Sequence, residues 1–409
     1  MLSVYMRRDF PALGLYRSYL NTAYIGLMPR ILRDQGVRLL VEYVSDPLTK
    51  NLEAREKYLQ ARTLLARYAG IEVPERLTLL AQGTTSCIER TVLTSLASLA
   101  SREGRPVRII TTVHEYPGVL LALQSLCQSL PSVCREVKVV GGVEGDYKWE
   151  DHVLEALEDE PPSVVTVSSI EWVSGYRGDI GSLVSRVESN GSVLIVDGAH
   201  HFGHLPLTPL EKRAHAICGT TRKWLLAPLA GLGIAYYSER MIREFEPYSY
   251  SIHHLSVPVS PGDVLEKRKL PFLDTADKFS ALSRPSEFSI ELLYEVVKYL
   301  LYSTSIVAVQ DHIMGLRKIL VDLLVDKGFS EALEGEPYDR KTGIVLVQTG
   351  LPPSKEEAVA KSLNKVGVSV SYRDQHGVHG IRVSIHLYNN EQDLQIFVDE
   401  LASAVRSIA

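Results

Sequence analysis

The chain has 409 residues, of which 45% are hydrophobic and 23% charged, an ordinary composition for a globular protein and long enough for two domains. Its formal net charge of -5 gives no electrostatic reason to expect nucleic acid or an anionic membrane as a partner. No stretch reaches the roughly 18 apolar residues of a membrane-spanning helix, and the first residues lack a signal-peptide core, so we expect a cytoplasmic protein.

Helical and strand-like patterns alternate from residue 53 to about residue 240. Helical spacing of apolar residues predicts helices over Leu52–Tyr68, Ser86–Leu99, Val119–Gln128 and Trp149–Glu158. Short β-branched runs predict strands over Val107–Thr112, Val137–Val140, Ser163–Ser168, Ser192–Asp197, Ala216–Gly219 and Gly233–Tyr237. Apolar strands alternating with helices predict a mostly parallel sheet covered on both faces, and such sheets bind ligands at the carboxyl ends of their strands.

The pattern changes after about residue 245. Long helices are predicted over Phe288–Tyr302 and Ile306–Lys327, and shorter elements follow them. These are strands over Gly343–Gln348, Val368–Tyr372 and Gly380–Ile385, with helices over Lys355–Lys365 and Glu391–Ile408. We therefore expect a large α/β domain over residues 15–270 and a small α+β domain over residues 271–409 that also takes up residues 1–14.

A lysine and an aspartate each stand at the end of a predicted strand. Lys223 lies in Cys218-Gly-Thr-Thr-Arg-Lys-Trp, and Asp197 ends the apolar run Ser192-Val-Leu-Ile-Val-Asp. This pair suits pyridoxal phosphate (PLP), because the amine forms a Schiff base with the cofactor aldehyde and the carboxylate keeps the pyridine nitrogen protonated. Otherwise Lys223 is one of many surface cations.

Hydroxyl-bearing residues open one of the predicted helices. Thr84 and Thr85 follow Gly83 directly, and free backbone N–H groups at a helix start favour a phosphate. Threonine is also an ordinary N-cap residue, which is the competing interpretation. Thr220 and Arg222, just before Lys223, add a hydroxyl and a guanidinium that suit the same phosphate.

Aromatic and imidazole side chains follow two other predicted strands. Tyr116 could stack on a flat ring held over the sheet, with His114 as second candidate, or could be a loop aromatic that covers the core. His200, three residues after Asp197, could donate to the phenolic oxygen of PLP. No recognisable zinc spacing surrounds His200, so we expect no metal.

An arginine lies within the apolar strand Gly380-Ile-Arg-Val-Ser-Ile. Arg382 needs an anionic partner there, either a substrate carboxylate or a structural ion pair. The four cysteines, Cys87, Cys127, Cys134 and Cys218, form no CxxC pair. We expect buried thiols, and a Cys127–Cys134 disulfide is the alternative.

Together these residues resemble the class V aminotransferase family of PLP enzymes, which has the aspartate-aminotransferase-like fold (PLP fold type I). Cysteine desulfurases, isopenicillin N epimerase-like proteins and kynureninase belong to it. The resemblance runs from Tyr19-Leu-Asn-Thr-Ala-Tyr-Ile-Gly to Tyr388-Asn-Asn-Glu-Gln-Asp-Leu and so covers nearly the whole chain.

The resemblance implies a role for each candidate residue. Lys223 would be the Schiff-base lysine, Asp197 the partner of the pyridine nitrogen, and His200 the donor to the ring oxygen. Tyr116 would occupy the stacking position. The phosphate would be held by Thr84, Thr85, Thr220 and Arg222. The amino acid substrate would be bound by Arg382, at its α-carboxylate, and by Asn21.

Two departures from the family pattern concern neighbours of the cofactor. Sites of this family lie at a homodimer interface, where a Gly-Thr-Pro stretch of the partner subunit often touches the phosphate. Ser283-Arg284-Pro285 stands at that place here, and Arg284 could still reach a phosphate. Many members carry an asparagine beside the ring, for which Ser174 is the nearest polar substitute.

A third departure bears on the reaction. Desulfurases of the family carry a nucleophilic cysteine in the C-terminal third, whereas this chain has no cysteine after Cys218. We therefore expect an amino acid transaminase or lyase in which Lys223, its pKa lowered with help from Arg222, moves the Cα proton. The alternatives are a C–S lyase of the cysteine desulfurase or selenocysteine lyase type, an epimerase, or a PLP-binding protein without turnover.

Overall fold

The computed structural model describes residues 6–142, 145–159, 161–209, 211–260, 262–263 and 270–409. Its strands are β1 Ser18–Tyr19, β2 Leu77–Leu80, β3 Val107–Thr112, β4 Cys134–Val140, β5 Ser163–Ser168, β6 Val193–Asp197, β7 Ala216–Thr220, β8 Gly233–Tyr237, β9 Ser330–Glu331, β10 Ile344–Gln348, β11 Val368–Ser369, β12 Ser371–Gln375 and β13 Val378–Ser384.

Its α-helices surround these strands. They are α1 Arg30–Ser45, α2 Pro47–Ala69, α3 Thr84–Glu103, α4 Pro117–Ser129, α5 Glu150–Asp159, α6 Ile180–Ser189, α7 Glu239–Glu244, α8 Glu287–Ser303, α9 Ile306–Asp326, α10 Pro353–Lys365 and α11 Glu391–Ile408. Within the described ranges no single helix is long and apolar enough to cross a membrane. The pair α8 and α9 would be long enough together, but a 74° bend separates them.

The large sheet has seven strands in the order β2-β8-β7-β6-β5-β3-β4. Strands β3 to β7 run parallel to one another, whereas β8 is antiparallel to both β7 and β2. The predicted strands match, and the mostly parallel sheet is confirmed. The sequence pattern does not show that β8 is reversed, because both of its faces are buried like those of its parallel neighbours.

Helices cover both faces of this sheet. Alternate side chains of each buried strand point to opposite sides and so pack against different helices. In β6, Val193 and Ile195 pack into a core that includes residues of α3, while Leu194 and Val196 pack into the core that includes residues of α6. A strand buried on two faces leaves only its ends for chemistry. Ligands must therefore be met at the sheet edge.

The small sheet is antiparallel, in the order β12-β13-β10-β9. One predicted strand divides into β11 and β12 at Val370, and β11 pairs with β1 rather than with the small sheet. Residues near the N-terminus thus reach the C-terminal part of the chain. The predicted domain boundary at residue 270 stays a prediction.

The expectation of buried free thiols is wrong. Cys127 near the end of α4 and Cys134 at the start of β4 form a disulfide with a Cα–Cα distance of 5.0 Å. Cys87 on α3 faces Cys218 on β7 and forms a second disulfide, with a Cα–Cα distance of 5.9 Å. Helix packing against the sheet brings these cysteines within bonding reach, which their sequence spacing does not show for Cys87 and Cys218.

Candidate active site

The carboxyl ends of several strands meet at one edge of the large sheet. Ser168 at the end of β5 is paired in register with Asp197 at the end of β6, and Asp197 is paired with Cys218 of β7. Gly233, the first residue of β8, is paired with both Thr220 of β7 and Leu80, the last residue of β2. The register therefore places the loop of Lys223, the carboxylate of Asp197 and the start of α3 along the same edge.

Lys223 lies in a tight turn that follows β7. The backbone N–H of Leu226 donates to the carbonyl oxygen of Lys223, and Leu226 has a left-handed φ of 56°. The segment of Gly26 crosses this turn, where its N–H donates to the Arg222 carbonyl at 2.9 Å. A Cβ atom on Gly26 would overlap the carbonyl oxygen of Lys223, so this close approach requires glycine.

The amine of Lys223 has a pKa well below that of an ordinary lysine. Burial lowers the pKa of Lys223 to about 8, and the carboxylate of Asp197 opposes this shift. Arg382, Arg373 and Arg222 act in the same direction as burial because they are cations. An amine with this pKa is available as a proton acceptor near neutral pH.

Asp197 and Glu115 form a pair of buried acids at the sheet edge. Asp197 accepts the N–H of Ala199 at 2.7 Å, and burial raises the pKa of its carboxyl. Glu115 accepts the N–H of Tyr116 at 2.8 Å and the hydroxyl of Ser168 at 2.7 Å. Burial and the neighbouring Asp197 raise the pKa of Glu115 to about 8, so this acid retains a proton at neutral pH.

His200 lies between two partners that follow each other in sequence. Its Nε2 atom is 3.1 Å from Nζ of Lys223, and its Nδ1 atom accepts the indole N–H of Trp224 at 3.1 Å. Burial and the nearby cations lower the pKa of His200 well below its ordinary value. The imidazole is therefore neutral, and one nitrogen donates while the other accepts.

The start of α3 supplies backbone donors near these groups. Its N-cap is Gly83, and no described side chain caps the helix. Thr84 is buried and Thr85 is partly buried at the first turn. The hydroxyl of Thr220 donates to the Leu232 carbonyl at 3.3 Å, while the Arg222 side chain is exposed. Uncapped N–H groups at the start of a helix are suited to an anion.

Arg382 extends from β13 into a fully buried position. Its Nη1 donates to the carbonyl oxygen of Trp172 at 2.6 Å. Within the part of the chain that the structure describes, its Nε has no hydrogen-bond partner. The buried acid Glu171 is near enough to favour the charged guanidinium, but the two side chains form no ion pair among the contacts described. The structural ion pair considered from the sequence is therefore not formed. A buried guanidinium with a free N–H is suited to an anionic ligand.

A second arginine lies beside Arg382. Arg373 on β12 is diagonal to Arg382 on the neighbouring strand, since Arg382 is paired with Ser371. The Arg373 guanidinium stacks over the Trp172 ring at 5.5 Å from its centre. Tyr116 contacts the same indole edge-on, with 5.7 Å between ring centres, and is half exposed. The stacking role of Tyr116 stays a prediction.

The remaining predicted residues are placed differently. The hydroxyl of Ser174 donates to Glu171 at 2.6 Å, and Asn21 accepts the Ser371 hydroxyl at 2.8 Å next to the small sheet. Arg284 is exposed and lines a separate cavity of about 820 Å³, whose lining does not include Lys223 among the residues described. Within a single chain, Arg284 and Lys223 therefore lie at different surfaces.

The groups at this edge fit PLP. An amine with a lowered pKa, a buried carboxyl, a neutral imidazole and an uncapped helix start match its aldehyde, pyridine nitrogen, phenolic oxygen and phosphate. The unpaired Nε of Arg382 supplies a further anion-binding group. No group of three or more metal-ligating side chains occurs among the described residues.

The profile of the class V aminotransferase family matches residues 42–397, so the chain belongs to that family, as the resemblance implies. It is accordingly a PLP-dependent enzyme, and the predicted cofactor is confirmed. An uncharacterised aminotransferase of Bacillus subtilis, YcbU, is 22% identical over 90% of each chain. A probable cysteine desulfurase of Aeropyrum pernix is 20% identical over 98% of this chain and 97% of its own.

Solved structures of the family share the fold. A cysteine desulfurase from Thermococcus onnurineus is superimposed with a TM-score of 0.78 at 18% identity, over 98% of each chain. The cystine C–S lyase C-DES, in complex with its product cysteine persulfide, has a TM-score of 0.79 at 16% identity, over 96% of this chain and 99% of its own. These likenesses confirm the predicted PLP fold type I architecture.

Sequence reasoning missed several groups at this site. Glu115 precedes the singled-out Tyr116, and Trp224 follows Lys223, but neither was given a role. An acid next to an apolar strand and a tryptophan next to the lysine were the available signals. Arg373 follows directly on the predicted strand Val368–Tyr372 and had no predicted role, whereas the structure places it on β12.

Proposed function

We propose that the chain is a transaminase or lyase of amino acids in which Lys223 holds PLP and moves the proton at Cα. When bound, the cofactor supplies a ring that accepts electrons from a bond broken at the amino acid Cα. The observation that carries the proposal is the Lys223 amine, with a pKa of about 8 and 3.1 Å from a neutral imidazole. Such an amine takes up and returns a proton near neutral pH.

Residues of the large sheet are assigned to the cofactor. The Asp197 carboxyl faces the pyridine nitrogen, and its neighbour Glu115 supplies a second buried acid there. His200 donates to the ring oxygen. The phosphate is held by residues at the sheet edge, namely Thr84, Thr85, Thr220 and Arg222. Tyr116 and Ser174 are the proposed neighbours of the ring.

Residues of the small sheet are assigned to the substrate. The unpaired Nε of Arg382 and its remaining N–H groups bind the α-carboxylate as a bidentate fork. Asn21 lies on the same side, bridged in backbone pairing to Ser384 two residues after Arg382. Fixing the carboxylate orients the Cα bonds relative to Lys223, which decides which bond is broken.

The second candidate is a C–S lyase or an epimerase. All four cysteines of the chain are paired, so the chain supplies no thiolate to accept sulfur from a substrate. A desulfurase that forms a persulfide on its own cysteine is therefore disfavoured. C–S cleavage that leaves the sulfur on the product needs no such thiol, and the structural neighbour C-DES is a C–S lyase whose product is cysteine persulfide.

Cofactor attachment tests the proposal directly. Purified protein incubated with PLP should turn yellow, and borohydride should fix the cofactor on the peptide that contains Lys223. The matched control is Lys138→Ala, which removes an exposed lysine that pairs with Asp159. Labelling of another lysine in the wild type, or colour that persists in Lys223→Ala, would refute the assignment.

A panel of amino acids separates the two candidates. Each amino acid is incubated with the loaded enzyme, and the products are scored for keto acid, sulfide, persulfide and inverted amino acid. Keto acid with transfer of the amino group to an acceptor supports a transaminase, and sulfur release supports the lyase. Solvent deuterium in recovered substrate, reduced in a variant of Lys223, reports proton transfer at Cα.

A homodimer is proposed from the resemblance and from one exposed surface. Apolar residues along α1 and α2 face outward, with Val44 84% exposed and Leu52 72% exposed. Arg284, away from Lys223 in its own chain, would then reach the partner's phosphate. Sedimentation of the purified protein checks the dimer, and Arg284→Ala should weaken PLP binding without changing the Tm of the cofactor-free protein. The cytoplasmic location stays a prediction.

A further inference from the structure

Trp224 contacts the active-site imidazole from the side opposite the lysine. Its side chain is completely buried, and its indole N–H donates to Nδ1 of His200 at 3.1 Å. Nε2 of the same ring is 3.1 Å from Nζ of Lys223. The imidazole thus stands between two consecutive residues of the chain, with one nitrogen directed at each.

The hydrogen atoms of this chain of contacts can be assigned from the chemistry of its groups. An indole nitrogen only donates, so Nδ1 of His200 must carry a lone pair. A buried neutral imidazole has one proton, which therefore sits on Nε2. That N–H is directed at Lys223.

The assignment has a consequence for the lysine. An ammonium group only donates, so it cannot accept the Nε2 proton of His200, whereas a neutral amine can. Protonating Lys223 would therefore break this hydrogen bond, or would move the imidazole proton to Nδ1, where it meets the indole N–H. Either way one buried hydrogen bond is lost, which disfavours the charged lysine.

The indole is held in place by other buried rings. It stacks on His204, with 3.8 Å between ring centres and 7° between planes. His204 is fixed in turn, because its Nε2 accepts the Gly343 N–H at 2.9 Å and its Nδ1 donates to the His200 carbonyl at 3.0 Å. His386 donates to the Trp224 carbonyl at 2.9 Å. These contacts leave Trp224 no freedom to turn its N–H elsewhere.

We propose that Trp224 is a positioning residue that holds His200 in the tautomer with its proton on Nε2. In the free protein this proton is donated to the Lys223 amine and favours its neutral form. In the loaded enzyme, and here the inference depends on the proposed function, the same proton faces the ring oxygen of the cofactor. Trp224 acts only through His200 and touches neither substrate nor cofactor.

The test uses cofactor-free protein, so its failure is distinguishable from a failure of PLP binding. Trp224→Phe retains an aromatic ring against His204 and removes the indole N–H together with the smaller ring of the indole. The reactivity of Lys223 toward a trace of acetic anhydride, measured by peptide mapping across pH, gives the pKa of its amine. We expect the midpoint to rise by about one pH unit, because one hydrogen bond of ~1.5 kcal/mol no longer opposes protonation.

The matched control is Trp149→Phe, which removes another buried indole at a distance from the lysine. The charged groups that act on Lys223, namely Asp197, Arg382, Arg373 and Arg222, are unchanged in both variants. A midpoint that stays in place in folded Trp224→Phe, or that moves equally in Trp149→Phe, overturns the proposal.

A second measurement needs no variant of Trp224. ¹⁵N-labelled histidine in the wild-type protein distinguishes protonated from unprotonated ring nitrogens, and His200 is identified by the signal that His200→Gln removes. We expect an unprotonated Nδ1 and a protonated Nε2 at pH 9, where the Lys223 amine, with a pKa of about 8, is mostly neutral. A protonated Nδ1 in His200 overturns the proposal even where Trp224→Phe fails to fold.

Discussion

The two sides of the active site differ in how completely their polar atoms are paired. On the large-sheet side, both nitrogens of His200 have partners, and one oxygen of Asp197 accepts a backbone N–H. On the small-sheet side, the Nε atoms of Arg382 and Arg373 are buried and lack a partner among the described residues. The first side is organised in advance except at Oε2 of Glu115 and at the uncapped start of α3, whereas the second is complete only when an anion binds.

This difference separates two tasks. A cofactor that stays bound through many turnovers is served by groups that already have their orientation. A substrate that enters and leaves is served by a charge that gains partners only on binding, because the free site then retains an unfavourable buried cation. Removing the unpaired Arg382 should therefore stabilise the free protein, whereas removing a buried arginine that has an ion-pair partner should destabilise it.

The largest effect is expected at the paired side. Lys223→Ala should lower kcat at least about a thousandfold, because no other described amine is directed at His200. The Tm of the cofactor-free protein should change little. Steady-state kinetics and thermal denaturation check both statements. Activity within tenfold of the wild type would contradict the role of the lysine.

Arg382→Met tests the small-sheet side, where two buried arginine Nε atoms lack a partner among the described residues. It should lower kcat/KM about 100-fold through a weaker hold on the carboxylate. It should also stabilise the cofactor-free protein, because it removes a buried guanidinium that has no ion-pair partner among the described residues. The control is Arg317→Met, because Arg317 is buried but paired with Glu331 and donates to the Thr342 carbonyl at 2.6 Å. Its loss should destabilise by about 3–5 kcal/mol. Urea denaturation measures the unfolding free energy of both variants. A change in the same direction for Arg382→Met and Arg317→Met would contradict the comparison.

The disulfides test how firmly the paired side is held. Replacing Cys87 and Cys218 together by alanine removes a link across 131 residues under the strand that leads to Lys223, and should cost about 2–4 kcal/mol. The same replacement at Cys127 and Cys134, only 7 residues apart, should cost less. The midpoints of urea denaturation of the two double variants measure these losses. An equal loss would show that loop length does not govern either link.

The smallest effect concerns pH. Since the pKa of Glu115 is raised to about 8, the folded protein holds a proton that the unfolded chain releases above its ordinary pKa. Stability from this group is present at low pH and is lost as pH rises through about 8. Glu115→Gln should come closest to the wild type near pH 5, and its advantage in unfolding free energy should grow until the pH reaches about 8. Parallel curves of unfolding free energy against pH would contradict this.

The sequence predicted well what depends on local pattern. Strands β5 to β8 were placed within a residue because they are apolar throughout and end at polar residues. Helix α1 was missed, since Val37, Val41 and Val44 face outward and the pattern that marks a buried helix face is weak there.

The site was predicted in the same uneven way. Lys223 and Asp197 were proposed because strand ends have a recognisable sequence signature, and their roles stay predictions. The proton on Glu115 and the contact of Trp224 with His200 depend on burial and on neighbours distant in the chain. Local pattern carries no information on either.

The segment around Asn21 joins the two sides of the site. Asn21 is bridged to Ser384 of the small sheet, and five residues later Gly26 donates to the Arg222 carbonyl beside the lysine. This short stretch therefore limits how far the small sheet, with the proposed carboxylate-binding residue Arg382, can move from Lys223. Shortening the protein from its amino end past residue 26 would uncouple the two, although every residue assigned to the cofactor would still be present.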